Sequence, residues 1–517
     1  MFQPPSRRAL LGHATAGAAL LTLPRFLAGC AHTVATDGAI TGAVPADPFA
    51  AWFGLDSALI QRVLGALTAR GADFGEVYLQ HARTTNLALE DGIIGRASTS
   101  IDQGAGLRVV MGDQVGYAFT EDLSEQALLA AARTAAAIAS GGGGAPPAEL
   151  VLDPGSHGMY SLEVPWSRVG ADRKLPLLTA LEAKVKAKDP SIVKVGVTWN
   201  DGEERVLVAD TTGRITRDER PSMRVWATVT AKRGEQTVTN SANLAGRHGF
   251  GWLTDARLDA LAEQAVSRTL ILFDAVRPPA GEMPVVLAAG ASGILLHEAI
   301  GHGMEADFNR KGTSLYSTMI GQRIAPDFVT LIDSGLEPNE RGALNVDDEG
   351  TDAQRTTLVE NGILKTFLHD RISAKHYGLA STGSGRRESF RHVVMPRMRC
   401  TFMENGPHTR DEIIASVKSG IIAETFTNGQ VQIGAGDFTF YVKNGWLIEN
   451  GAITRPIKDV NIIGNGPEAL KRVSMAANDM SLDTGGWTCG KDGQSVPVSQ
   501  GLPTVKVDAL TVGGVRG

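Results

Sequence analysis

The chain has only three cysteines in 517 residues, too few for a disulfide framework. It has no excess of positive charge. The formal net charge is −6 and no long basic run occurs, which argues against nucleic-acid binding as its main task. Beyond residue 30 no apolar run is long and charge-free enough to span a membrane. What is plentiful is glycine. Sixty glycines point to frequent turns and strand ends rather than a helical bundle. With 21 % charged and 43 % hydrophobic residues, the composition is that of a soluble globular protein, long enough for two or more domains.

The first 30 residues have the pattern of an export signal. Ser6-Arg7-Arg8-Ala9-Leu10-Leu11 is similar to a twin-arginine signal. The weakly apolar stretch 9–23 is too short and too rich in Ala and Gly to favour a membrane span. Leu27-Ala28-Gly29-Cys30 is similar to a lipoprotein cleavage box, although Arg25 is an unfavourable charge beside it. The expectation is a chain exported by the twin-arginine route, periplasmic or anchored in the membrane by a lipid on Cys30. The alternative is a cytoplasmic chain with an unstructured tail. Residues 31–55 are expected to be a tether.

The body divides at about residue 278. Apolar periodicity predicts helices over 56–70, 124–138, 174–187 and 257–273. Short strands are expected over 76–80, 86–89, 106–111, 115–120, 193–200, 205–210 and 223–232. This order predicts an N-terminal α+β domain, 56–278, of helices on antiparallel sheet, with a weak internal duplication. After Pro278-Pro279 the character changes. Short strand-like runs alternate with Asn361-Gly362, Asn428-Gly429, Asn444-Gly445 and Asn450-Gly451, all turn signals. Residues 279–517 are expected to form a β-rich catalytic domain bearing one metal-binding helix.

That helix carries His297-Glu298-Ala299-Ile300-Gly301-His302, at the end of the apolar run 283–296. Two imidazoles and a carboxylate can hold a divalent metal and activate a water on it. In an ideal α-helix residues five apart lie about 140° apart. Both rings can face one ion only if the helix ends or distorts between them, and Gly301 and Gly303 are suited to such a break. A third protein ligand is needed. Glu305 and Asp307 are local choices, though each also suits orienting a histidine. Cys489 is the remote choice, in a glycine-rich segment with Lys491 close by to favour the thiolate. Cys400 has the setting of a buried structural thiol. Arg386 and Arg387 could offer guanidinium groups to a substrate carboxylate, or form a solvated turn. His369, His376 and His392 are further polar candidates, better suited to structure. Asp347-Asp348 suits a turn or salt bridge better than a second metal.

These segments resemble the TldD/PmbA family of metallopeptidases, once called modulators of DNA gyrase, and more closely its TldD side. The resemblance rests on His297 to Asp307, Asn345-Val346-Asp347-Asp348-Glu349-Gly350-Thr351, and Gly383-Ser384-Gly385-Arg386-Arg387-Glu388-Ser389. It extends through Met395-Pro396-Arg397-Met398, Ile463-Gly464-Asn465-Gly466-Pro467 and Cys489-Gly490-Lys491-Asp492-Gly493. It implies a zinc peptidase of the HExxxH type. His297, His302 and Cys489 would bind zinc, and Glu298 would act as general base. It also implies a dimer, with itself or with a PmbA/TldE-like sister lacking the intact motif. The enclosed site would admit unfolded peptide. The contrasting expectation is a non-catalytic binding or assembly subunit with a structural zinc.

Overall fold

The computed structural model describes residues 47–138, 146–153, 158–160, 162–432 and 435–513. The export segment 1–30 with Cys30, and the loop 141–144, lie outside the described residues. Residues 47–55, the described part of the expected tether 31–55, are folded. Asp47 accepts from Ala50 N at 3.0 Å and caps a short helix, Pro48–Phe53, while Phe49 and Leu55 are buried. These apolar side chains draw residues 48–55 into the folded body. Among the described residues no helix is long and apolar enough to cross a membrane.

The N-terminal half is built on four strands of 17 to 20 residues: Phe74–Glu90, Ile93–Met111, Ile192–Asp210 and Arg214–Arg233. They pair antiparallel in the spatial order Ile93–Met111, Phe74–Glu90, Ile192–Asp210, Arg214–Arg233, with Gln114–Thr120 beyond Ile93–Met111. Gln236–Gly246 and the short Val151–Leu152 both pair with Arg214–Arg233, completing a seven-stranded sheet. The periodicity of the sequence breaks the long strands into pieces because polar stretches interrupt them. In the fold those stretches stay in the sheet, because their charges find partners. Lys174 pairs with Asp201 at 2.5 Å, Arg205 with Glu203 at 3.0 Å, and Arg220 with Asp218 at 3.0 Å.

Two helix pairs cover this sheet. Ser57–Thr68 and Glu125–Ile138 bury Leu64, Leu67 and Ala132 against Val77, Leu107 and Leu207. Ala171–Lys186 and Asp255–Leu270 bury Leu181 and Leu261 against Leu87, Val197 and Val225. The duplication in the sequence is realised as two helix pairs on one shared sheet.

In the C-terminal half, Gly281–Leu287, Val505–Gly513, Val460–Asn465, Asp437–Glu449 and Ser419–Gln432 pair in turn, and the last pairs back with the first. This closes a barrel and leaves those strands without a free edge in the circuit. A second sheet of six strands has Leu331–Ser334 and Cys400–Met403 at its centre, the latter parallel to Ser499–Leu502. Of the four Asn-Gly pairs named above, Asn361-Gly362 and Asn450-Gly451 are turns with positive φ at both residues. Asn428-Gly429 and Asn444-Gly445 instead lie inside barrel strands with irregular register. A Cβ at Gly429 would lie 2.4 Å from the Phe440 ring, so this glycine serves packing rather than turning.

A buried ionic network joins the two halves. Arg108 bridges Glu76 at 2.7 Å and Glu349 at 2.5 Å, and all three side chains are fully buried. Arg387 also pairs with Glu76, and Arg220 reaches Asp348 at 2.6 Å. Burial raises the Glu76 carboxyl, but Arg108 and Arg387 outweigh it and hold it below the usual range. Removing one partner leaves buried charge uncompensated. Arg108→Met should therefore destabilise the protein by about 3–5 kcal/mol, measured by denaturant unfolding. An effect within about 0.5 kcal/mol of zero would show that the network contributes little.

Candidate metal centre

The segment bearing the two histidines is apolar on nearly every side, as a buried helix must be. Ile294, Leu295, Leu296, Ile300 and Met304 join the core cluster that includes Phe438, Phe440, Val460 and Val507 of the barrel. Its backbone changes pitch. A single α-turn, Ile294–Leu296, passes into a π-turn, His297–Gly301, and then a tighter turn, His302–Met304. The His302 N–H bonds to the His297 carbonyl, five residues back. That wider turn brings residues five apart towards one face. The ring centroids lie 5.0 Å apart, at an interplanar angle of 82°.

The distortion expected between the histidines exists, but glycine does not break the helix. Gly301 has helical φ −59° and ψ −46°. Its hydrogen is needed for space, since a Cβ there would lie 2.1 Å from Met398 Sδ.

Cys489 arrives from far along the chain on a hairpin. Thr488–Lys491 pairs with Gln494–Pro497 through Asp492-Gly493, both with positive φ. Alternate residues of a strand share a face. Cys489 and Lys491 are buried while Thr488 and Gly490 are exposed. Cys489 Sγ lies 3.5 Å from His302 Nε2. One ligand atom from each of His297, His302 and Cys489 falls within 4.8 Å of the others. Among the described residues no other group of three or more His, Cys, Asp or Glu is so arranged.

The residues present fit a metal. Both ring nitrogens of His297 are buried without a hydrogen-bond partner. Such orphaned atoms are costly unless something binds them. Burial pushes the Cys489 thiol up, but His297 and His302 outweigh it and hold it well below its ordinary value. A thiolate is the form that binds metal. Zinc suits a site of two imidazoles and one thiolate, with a coordination position left for water.

Glu305 and Asp307, the local alternatives for a third ligand, stand behind the site. Glu305 Oε2 lies 2.9 Å from His302 Nδ1, which leaves Nε2 to face the sulfur. Lys491 pairs with Glu305 at 3.1 Å and with Asp307 at 2.7 Å. Burial raises the Glu305 carboxyl, but Lys491 and His302 bring it down to about 2. Lys491 was expected to act on the sulfur directly. It acts instead on the carboxylate that orients His302. Glu298, within the π-turn, is half-buried.

Arg386 and Arg387 are neither a solvated turn nor an open receptor for substrate. Arg386 donates to the carbonyls of Met398 at 2.6 Å and Pro497 at 2.8 Å, and is 3 % exposed. Arg387 pairs with Glu76, donates to the Asp348 carbonyl at 2.9 Å and is 4 % exposed. Sequence reasoning missed that a neighbouring arginine supports the centre. Arg397, fully buried, donates to the Cys489 carbonyl at 2.8 Å. Arg386 and Arg397 together pin the hairpin that carries the sulfur. The only signal for this was an arginine among apolar residues in Met395-Pro396-Arg397-Met398.

His369 pairs with Thr366 Oγ1 at 3.3 Å, and burial pushes its imidazole down to about 4. His392 Nδ1 meets Ser389 Oγ at 3.0 Å, and His376 packs on Tyr377. Asp347 accepts from Glu349 N and Thr351 N at 2.9 Å, within its own turn. Cys400 is a buried strand thiol, held well above its ordinary value by burial.

Comparison with known proteins agrees with this arrangement. The PmbA/TldA metallopeptidase C-terminal domain matches residues 280–514, the central domain 164–273 and domain 1 75–139. The metalloprotease TldD homolog of Haemophilus influenzae is 38 % identical over 470 residues, 89 % of this chain and 97 % of its own. The zinc metalloprotease TldD homolog of Saccharolobus solfataricus is 28 % identical, covering 81 % of this chain and 91 % of its own. TldE from Thermococcus kodakarensis shares the fold with a TM-score of 0.69 at 19 % identity, over 88 % of this chain and all of its own. A Thermotoga maritima protein provisionally described as a modulator of DNA gyrase does so with a TM-score of 0.72 at 19 % identity, over 88 % and 99 %. With a relative this similar along nearly its whole length and three matching domains in order, the chain belongs to the TldD/PmbA family and is a metallopeptidase.

Proposed function

We propose that this chain is the catalytic subunit of a zinc-dependent peptidase that cleaves unfolded peptides within a dimer. The observation that carries this reading is the pair of unpartnered His297 ring nitrogens beside His302 and Cys489. His297, His302 and Cys489 would hold the zinc, which when bound would supply Lewis acidity to a water and to the scissile carbonyl. Glu298 performs the proton transfers. Its carboxylate takes a proton from the attacking water and returns it to the leaving amine nitrogen. Glu305 accepts a hydrogen bond from His302 Nδ1 and fixes the ring so that Nε2 points to the sulfur. Lys491 keeps Glu305 in place and ionised, and Asp307 holds Lys491 from its other side.

The partner in this reading is a second copy or a TldE-like sister, which the fold shared with TldE supports. Extended peptide would add to a strand edge, where main-chain pairing reads an unfolded chain of any sequence. Export by the twin-arginine route rests on Ser6-Arg7-Arg8-Ala9-Leu10-Leu11 alone. Arg7→Lys with Arg8→Lys should retain the protein in the cytoplasm, followed by cell fractionation. An unchanged distribution removes the export reading.

Purified protein should carry near-stoichiometric zinc and cleave casein or unstructured peptides, and chelation should stop cleavage. Glu298→Gln should lower kcat by roughly a hundredfold or more while zinc remains bound. Full activity in this variant would leave the zinc structural and the chain a binding or assembly subunit. Cys489→Ser should lose most of its zinc at equal protein, read by elemental analysis. Unaltered zinc content would remove the sulfur from the ligand set. Glu305→Gln should weaken zinc binding by about 10–100-fold, read by competition with a chromogenic chelator.

A further inference from the structure

Two cavities away from the metal ligands share a wall. One, of about 610 Å3, is lined by Arg96, Arg224 and Arg341 together with Asn86, Asn200 and Trp226, and among the described residues no Asp or Glu lines it. The other, of about 420 Å3, shares Arg224 and Trp226 and reaches Gly486 and Trp487. It adds Arg268 and Lys443, set against Glu424 and Asp483. Cys489 follows two residues after Trp487, so this wall and the metal hairpin are one continuous piece of chain.

Among the described residues the arginines of the first cavity form no salt bridge, although the Asp483 carboxyl acts on Arg341 from beyond that distance. Among the described residues Arg224 forms no ion pair, and its Nε is buried without a hydrogen-bond partner. Its guanidinium stacks on Trp226, 4.4 Å from the ring centroid. Burial pushes its pKa below the ordinary arginine value. Arg341 donates through Nη1 to the carbonyls of Gly485 and Trp487, both at 3.1 Å, and meets no carboxylate within salt-bridge distance among the described residues. Burial pushes Arg341 down to about 10, with Arg224 and Arg247 adding like-charge repulsion. Desolvated cations without anions are costly, and an incoming carboxylate would offset that cost for both. Arginine forks suit planar carboxylates. Paired Asn200 and Asn86, 2.6 Å apart, add polar groups to the same wall.

We propose that this arginine-lined cavity holds a carboxylate of the peptide substrate, an acidic side chain or the chain's own C-terminus. The enzyme therefore favours peptides that present a carboxylate to this cavity. This deepens, and rests on, the peptidase reading above.

The test is binding without turnover. Full-length Glu298→Gln protein loaded with zinc is titrated by fluorescence anisotropy with one labelled peptide in three forms: with two Asp residues, with both Asp changed to Asn, and with a C-terminal amide. The free-acid Asp peptide should bind at least about tenfold more tightly than one of the other two, as a charge-assisted bond requires. Loss on Asp→Asn assigns the side chain as the source, and loss on amidation assigns the C-terminus. The preference should collapse to near unity on adding Arg224→Gln and persist with Arg224→Lys. Arg96→Gln, at an exposed position, should weaken it in the same direction. Equal binding of all three peptides overturns the proposal, and that comparison needs no arginine variant to fold. So does a preference unchanged in Arg224→Gln, or an Arg224→Lys as poor as Gln. An acid preference in a protein whose wild type cuts nothing would sink the peptidase reading and spare this site. Cleavage with no acid preference would do the reverse.

Discussion

The constraint on which this structure depends is that three polar ligands meet inside an apolar core. His297, His302 and Cys489 are all nearly inaccessible to water. Groups of this kind are stable there only if each is bound, paired or oriented. The chain meets that demand in layers. A π-turn directs the imidazoles to one side. A hairpin delivers the thiol, and Arg397 and Arg386 hold that hairpin by its carbonyls. Glu305 orients His302, Lys491 keeps Glu305 charged and fixed, and Asp307 anchors Lys491. Each layer places charge where the next one needs it.

The same logic joins the two halves of the molecule. Long strands with polar middles are costly unless those charges are matched. Here they are matched partly within the sheet and partly by the Asn345–Thr351 motif of the C-terminal half, through Arg220 with Asp348 and Arg108 with Glu349. Asp347 accepts backbone N–H groups within that motif and from Gly385 at 2.9 Å. The motif is an internal joint of the protein. Arg387 belongs to it, which explains why an arginine beside a family signature is closed to solvent.

Much of this was legible beforehand. The four long helices carry clear apolar periodicity and lie within a few residues of their expected spans. The β-rich C-terminal half follows from its turn signals and glycines. The strand lengths were not legible, because a charged segment such as Asp201-Gly202-Glu203-Glu204 looks like a loop until its partners are known. Nor were the roles of Asn428-Gly429 and Asn444-Gly445, which turn in isolation but pack here inside bulged barrel strands.

The amino-acid sequence alone determined the chemical identity of the centre: two histidines five residues apart, an intervening glutamate, and a cysteine in a segment similar to that of a known family. These are properties of residue type and spacing. Only the tertiary structure decided how five-residue spacing brings two rings together, because a π-turn depends on packing around the helix and not on its own residues. The family resemblance already favoured Cys489 over Glu305 and Asp307, but only the tertiary structure put the sulfur beside the imidazoles and Glu305 behind His302, since distance along the chain says nothing of distance in space. It likewise moved Lys491 from beside the sulfur to beside Glu305, and left Arg224 without a salt bridge among the described residues, on the wall between two cavities.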